Sequence, residues 1–258
     1  MTKKDNEAEA TEIAVSTPSN VAVTDNSFTI NPSQEDMMIP YLKVVQQLSD
    51  EVVKGKDKYN ESVSAGDVYD GVTRTVYTKS NIIICGIKKY YAEWTPEIRG
   101  SLIAKHSINS PVVLNAVKEE NTSDKGAKYF KLKTNTGNDL VETYGVVCIV
   151  KKDDITIPAV FTLSKSAFMA GKSLNTLLVM HQSNGLPMFT FDTSVTSNSK
   201  GSWYKPVFSF SGYEKDSSVI DMAKSLSTIV DKLLFTIRAD EMDVEGTTVD
   251  VDTNELPV

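Results

Sequence analysis

Residues 159–195 read AVFTLSKSAFMAGKSLNTLLVMHQSNGLPMFTFDTSV: a β-branched apolar run, a stretch with helical spacing, then a second apolar run. In the middle stretch Phe168, Leu174, Leu177, Leu178 and Met180 supply an apolar stripe, and Ser164 stands where a helix N-cap belongs. The flanks ITIPAVFTLS and LPMFTFDTSV carry the Val, Ile, Phe and Thr that suit a pleated, half-buried surface. The predicted order is strand, single helix, strand, and the surroundings decide the architecture.

Upstream, VYDGVTRTVYT, NIIICGIKKYYAEW, SPVVLNAV, AKYFKLKT and LVETYGVVCIVKK are predicted strands separated by turn residues. Downstream, SWYKPVFSFSG pairs as a hairpin with LPMFTFDTSV across the turn TSNSKG. YEKDSSVIDMAKSLSTIVDKLLF then reads as an amphipathic helix with Val219, Met222, Leu226, Ile229, Val230, Leu233 and Leu234 toward one face. Near the start, Ile39, Leu42, Val45 and Leu48 fall three apart around Pro40, which predicts a short helix. Phe161, Phe168, Phe189 and Phe191 are assigned to the core. A helix between the third and fourth strands of a small barrel is the order of the OB-fold. The expected fold is mainly β: an OB-like Greek-key barrel with extra strands and terminal helices.

The formal charge of −7 hides an uneven distribution. Residues 1–39 hold two Lys and seven acids, residues 239–258 hold seven acids and no base, and residues 40–238 hold 25 Lys and Arg against 20 Asp and Glu. Three segments follow: a disordered acidic arm over 1–36, a mildly basic body over 37–238, and a disordered acidic tail over 239–258. No apolar stretch reaches the length of a membrane span and MTKKDNEAEATE has no signal-peptide core, so a cytoplasmic protein without a membrane partner is expected.

Enzymatic signals are sparse. His106 and His181 stand far apart, no ligand pair has zinc-like spacing, and Cys85 and Cys148 lie within apolar runs as small hydrophobes. AGKS at 170–173 lacks the glycine a phosphate-binding loop needs at position 166, where Ser166 stands. Neither catalysis nor a cofactor is expected.

Aromatics beside lysines recur instead, in KKYYAEW (88–94), KYFKLK (128–133) and KGSWYKP (200–206). Single-stranded nucleic acid calls for this mixture, ammonium groups following phosphates and aromatic faces stacking unpaired bases. Tyr90, Tyr91, Trp94, Tyr129, Trp203 and Tyr204 are the candidate stacking residues. Lys88, Lys89, Lys128, Lys131, Lys133, Lys200 and Lys205 are the candidate phosphate contacts. Strand alternation keeps Tyr90 and Tyr91 off a common face, so one of them is expected to pack. The tail reads as a tethered polyanion competing for the DNA groove, as a handle for partner proteins, or as a solubilising end.

AVFTLSKSAFMAGKSLNTLLV followed by LPMFTFDTSVTSNSKGSWYKPVFSF resembles the strand, helix and hairpin that close the barrel in bacteriophage single-stranded DNA-binding proteins. The acidic terminus resembles their usual ending, although this chain finishes Leu256, Pro257, Val258 rather than in an aromatic residue. IPYLKVVQQLSDEV with AGDVYDGVTRTVY resembles the opening of other phage proteins of the same role. The resemblance implies sequence-independent protection of single-stranded DNA in replication or recombination, with replication or recombination proteins as further partners through the tail. A virion or scaffold assembly protein and an acidic DNA-mimic inhibitor of a host enzyme are the alternatives. Self-association is left open.

Overall fold

NIIICGI and GVVCIV are apolar at consecutive positions, a pattern that calls for strands covered on both faces. The computed structural model, which describes residues 39–97, 100–122, 126, 128–198 and 201–237, provides both covers. In chain order it contains β1 (Tyr41–Val44), β2 (Val68–Asp70), β3 (Thr75–Val76), β4 (Ser80–Trp94), β5 (Leu102–Ser107), α1 (Pro111–Leu114), β6 (Val117–Thr122) and β7 (Lys128–Lys133). β8 (Asp139–Lys152), β9 (Ile155–Ser164), α2 (Phe168–His181), β10 (Pro187–Asn198), β11 (Gly201–Tyr213), α3 (Ser217–Thr228) and α4 (Val230–Phe235) follow. The expected arm and tail, and Lys200, lie outside the described residues.

The protein is mainly β, built on one curled sheet in the order β11-β10-β4-β8-β9-β1-β2-β3, with β5 on β4, β7 on β8 and β6 on β7. β4 and β8 form the spine. Ile82, Ile84, Val146, Cys148 and Val150 face the inside of the curl, where Phe161, Phe189, Phe191, Phe208 and Leu174 of α2 meet them. Ile83, Val147, Ile149 and Val160 point the other way, under Val219, Ala223 and Leu226 of α3 and Val230 and Leu234 of α4. Two glycines let α4 press onto the sheet. A Cβ at Gly86 would stand 2.4 Å from Val230, and one at Gly145 would stand 2.8 Å from both Leu234 and Tyr90. Burial pushes the Cys85 thiol up to about 12, consistent with a packing role.

The curl is closed by side chains. Phe161 of β9 stacks on Phe191 of β10 and Phe208 of β11 with ring centroids 5.0 and 5.8 Å apart. β1 lies parallel to β9, and beyond it Gln46 Nε2 donates to the Tyr204 carbonyl at 2.9 Å while Gln46 Oε1 accepts from the Tyr204 N–H at 2.9 Å. One amide therefore copies the two hydrogen bonds of a ladder step between β1 and β11. Gln46→Ala leaves both Tyr204 backbone groups without these partners, and we expect a loss of about 1–3 kcal/mol in urea unfolding. A change under about 0.5 kcal/mol would mean that the clamp contributes nothing to closure.

Several local expectations are corrected. The segment after Pro40 is strand β1, not helix: Leu42 and Val45 are buried but Leu48 is 62% exposed, and parallel pairing with β9 overrides the three-residue spacing. PVVL is helix α1 rather than strand, because Ser110 caps it, accepting from the Val113 N–H, and Pro111 takes its first position. Ser164 precedes a 3₁₀ turn and makes no side-chain capping bond; α2 starts at Phe168. Met180 is 65% exposed and leaves the apolar stripe. The closing helix is broken at Ile229 into α3 and α4. Among the described residues no helix is long and apolar enough to cross a membrane.

Candidate nucleic-acid interface

Past the bulge between Ile84 and Gly86, the residues of β4 alternate between two faces. Lys88 turns toward α4 and pairs with Asp231 at 2.5 Å. Tyr90 follows it there, 1% exposed and tilted against Phe235 at 5.7 Å between centroids. It packs with Ala92 and Leu102, and Trp94 lies partly buried against the same group. Tyr90 is thus the packing member of the tyrosine pair, and its expected stacking role is withdrawn because no face of it meets solvent. On the opposite face Lys89 forms an ion pair with Glu142, and the Tyr91 hydroxyl donates to the same carboxylate at 3.3 Å. The hydrogen bond to Glu142 raises the Lys89 pKa, whereas burial, then Glu142, raises that of Tyr91. Glu93 bonds His106 of β5 at 2.6 Å and accepts from Asn138 at 2.7 Å. Burial pushes the Glu93 carboxyl up, but the bonds from Asn138 and His106 outweigh it and hold the group below the usual carboxylate range. This network ties the excursion between β4 and β8 to the spine.

β6 and β7 form a ribbon paired from Val117↔Lys133 to Thr122↔Lys128. Tyr129, Lys131 and Lys133 share one face, and Lys128 lies on the other beside Phe130, which is 62% exposed. Lys128 pairs with Glu120 at 2.5 Å, and Lys133 with Glu119 at 3.0 Å and Asp139 at 3.6 Å. Lys131 has no carboxylate partner among the described residues. Much of the positive charge expected to follow phosphates is therefore already paired.

The third cluster sits at the end of the β10–β11 hairpin, where Trp203, Tyr204 and Lys205 oppose Thr196, Val195 and Ser194. Lys205 Nζ stands 5.5 Å from the Trp203 ring centre, on the same strand face. Tyr204 points the other way and covers Gly66, where a Cβ would meet its ring at 2.6 Å. That contact and the Gln46 clamp make Tyr204 a closure residue more than a free platform.

The first two clusters adjoin. Trp94 pairs with Asp139, and Asp139 with Lys133, so KKYYAEW and KYFKLK share one end of the sheet. Trp203 is at the other end, because β4 meets β10 through Ser80–Ile83 and the hairpin runs on beyond Ser80. The sequence reading gave no binding role to Phe168, Tyr144 or Lys172. Phe168, given to the core, is only partly buried; its ring lies 5.0 Å from that of Tyr144, with Lys172 Nζ at 5.2 Å and Lys89 Nζ at 6.0 Å. The four-residue spacing of Phe168 and Lys172 on one helix was the available signal.

A family model described as Pam3 phage gp34-like protein matches residues 12–233. The chain belongs to this family. The bacteriophage part of the resemblance is supported by that membership. The gp34-like span takes in all three aromatic and lysine clusters and stops before the acidic terminus that begins at Asp240. No curated protein and no solved structure matches the chain.

Proposed function

We propose that this gp34-like protein binds single-stranded DNA without sequence preference and without catalysis. The observation that carries the reading is where the aromatic and lysine clusters fall. Strands β4, β8 and β9, helix α2, and strands β10 and β11 come in the order expected of an OB-like barrel, and the clusters lie at the end of β4, on the β4-to-β8 excursion that leaves it, and on the β10–β11 hairpin. In OB modules those two connections hold oligonucleotides. Two departures narrow the surface. Closure runs through β1 and Gln46, and α3 with α4 covers the outer face of β4 and β8, so DNA is left the excursion, the hairpin and the margin of α2. Oligothymidylate titrations over a salt series test this, with an expected slope of log affinity against log salt of about −0.7 per phosphate contacted.

One observation favours assembly instead: Ile103, Ile108, Val112, Leu114 and Val117 are all exposed on the excursion. High-order self-association without oligonucleotide affinity would establish that reading and overturn the first.

The acidic terminus acts here as a tethered competitor for the DNA surface. Deleting residues 239–258 moves the formal charge from −7 to 0, since the segment holds seven acids and no base. Apparent affinity for single strands should rise about tenfold at low salt, equivalent to about 1.4 kcal/mol. The gain should fade as the Debye length shrinks to about 8 Å at physiological ionic strength. Replacing the seven acids by Asn and Gln should reproduce the deletion. Unchanged affinity at every salt concentration would remove the competitive role.

A further inference from the structure

The geometry points to a second stacking platform for an unpaired nucleobase at the start of α2, built from Phe168 on Tyr144 with Lys172 and Lys89 as flanking cations. It rests on the single-strand reading above but centres on Phe168, Tyr144 and Lys172, which the aromatic-lysine pattern did not select. Phe168 opens α2 and is only partly buried, whereas Phe161, Phe189 and Phe191 are buried. Tyr144 supports that ring from the sheet at 5.0 Å, with the planes 31° apart. Gly171 allows this approach, because a Cβ there would sit 2.5 Å from the Tyr144 ring. The platform is held before any ligand arrives, which lowers the entropy lost on stacking.

The charges fit the same ligand. Glu142 pins Lys89, while Lys172 has no carboxylate partner among the described residues and leans on the Phe168 ring. A base stacking on Phe168 displaces an ammonium from the ring toward the adjoining phosphate, exchanging a weak cation–π contact for a charge-assisted hydrogen bond. AGKS, rejected as a phosphate-binding loop, then contributes its lysine to a phosphate by a different geometry.

The experiment compares full-length wild type, Phe168→Leu, Lys172→Gln and Trp203→Ala in oligothymidylate titrations. It adds ultraviolet crosslinking of wild type to 5-iodouracil-substituted oligothymidylate, with the crosslinked peptides read by mass spectrometry. Phe168→Leu should weaken binding about 5- to 150-fold. Lys172→Gln should reduce the salt slope by about 0.7. Crosslinks should include Phe168 or Tyr144, and this arm decides if Phe168→Leu does not fold. Crosslinks elsewhere, with Lys172→Gln behaving as wild type, overturn the platform while leaving single-strand binding in place. Absence of any oligothymidylate binding by wild type overturns both.

Discussion

Phe161→Ala is expected to cost about 3–5 kcal/mol of folding stability, read as a shift of the urea midpoint with unchanged slope. Phe161 is 2% exposed and stacks on both Phe191 and Phe208, which also stack on each other at 5.1 Å. The three rings join β9 to β10 and β11 across the inside of the curl, where, among the described residues, β9 shares no backbone ladder with either. Removing the central ring leaves a cavity that two packed layers cannot fill, and the loss is a large part of the roughly 5–15 kcal/mol typical of a domain. An exposed aromatic makes the control: Phe130→Ala should stay within about 0.5 kcal/mol. A cost below about 1 kcal/mol for Phe161→Ala would mean that the rings do not hold the curl closed.

Trp203→Ala should weaken oligothymidylate binding by about 1–3 kcal/mol, the range of one base–aromatic stack. The residue stands at the end of the β10–β11 hairpin, shares a strand face with Lys205, and lies far from the phenylalanine stack along the strand direction. Its loss should therefore act on affinity while the urea midpoint moves little. Lys205→Gln should instead lower the salt slope by about 0.7, because it removes one phosphate contact and leaves the ring. If Trp203→Ala gives no soluble folded protein, Trp203 is a packing residue and the hairpin is not a binding element.

The sequence made the spine readable because its strands carry their own signals. Consecutive apolar residues in NIIICGI and GVVCIV require two covers, and helical spacing between ITIPAVFTLS and LPMFTFDTSV supplies one of them. The errors arose where distant contacts decide. Tyr90 is buried because α4 crosses β8 at Gly145 and brings Phe235 over it, an approach that no local pattern encodes. The residues after Pro40 fit both a helical and an extended spacing, and pairing with Val160 and Phe161 selects the strand. The opposite failure occurred at Phe168. Its periodicity matched a core position, but as the first residue of α2 it meets Tyr144 and the Lys172 and Lys89 ammonium groups and stays only partly buried. Ser110-Pro111 was a readable helix start that the β-branched residues after it obscured.

Single-strand preference is the central claim, since stacking on the half-buried Trp203 and the other proposed aromatics needs base faces that a duplex hides. The direct test is competition between unlabelled oligothymidylate and duplex DNA of equal length for the full-length protein carrying a fluorescent oligothymidylate, at one fixed salt concentration. The account predicts displacement by the single strand at concentrations at least tenfold below those the duplex requires. Equal displacement by the two competitors would contradict it.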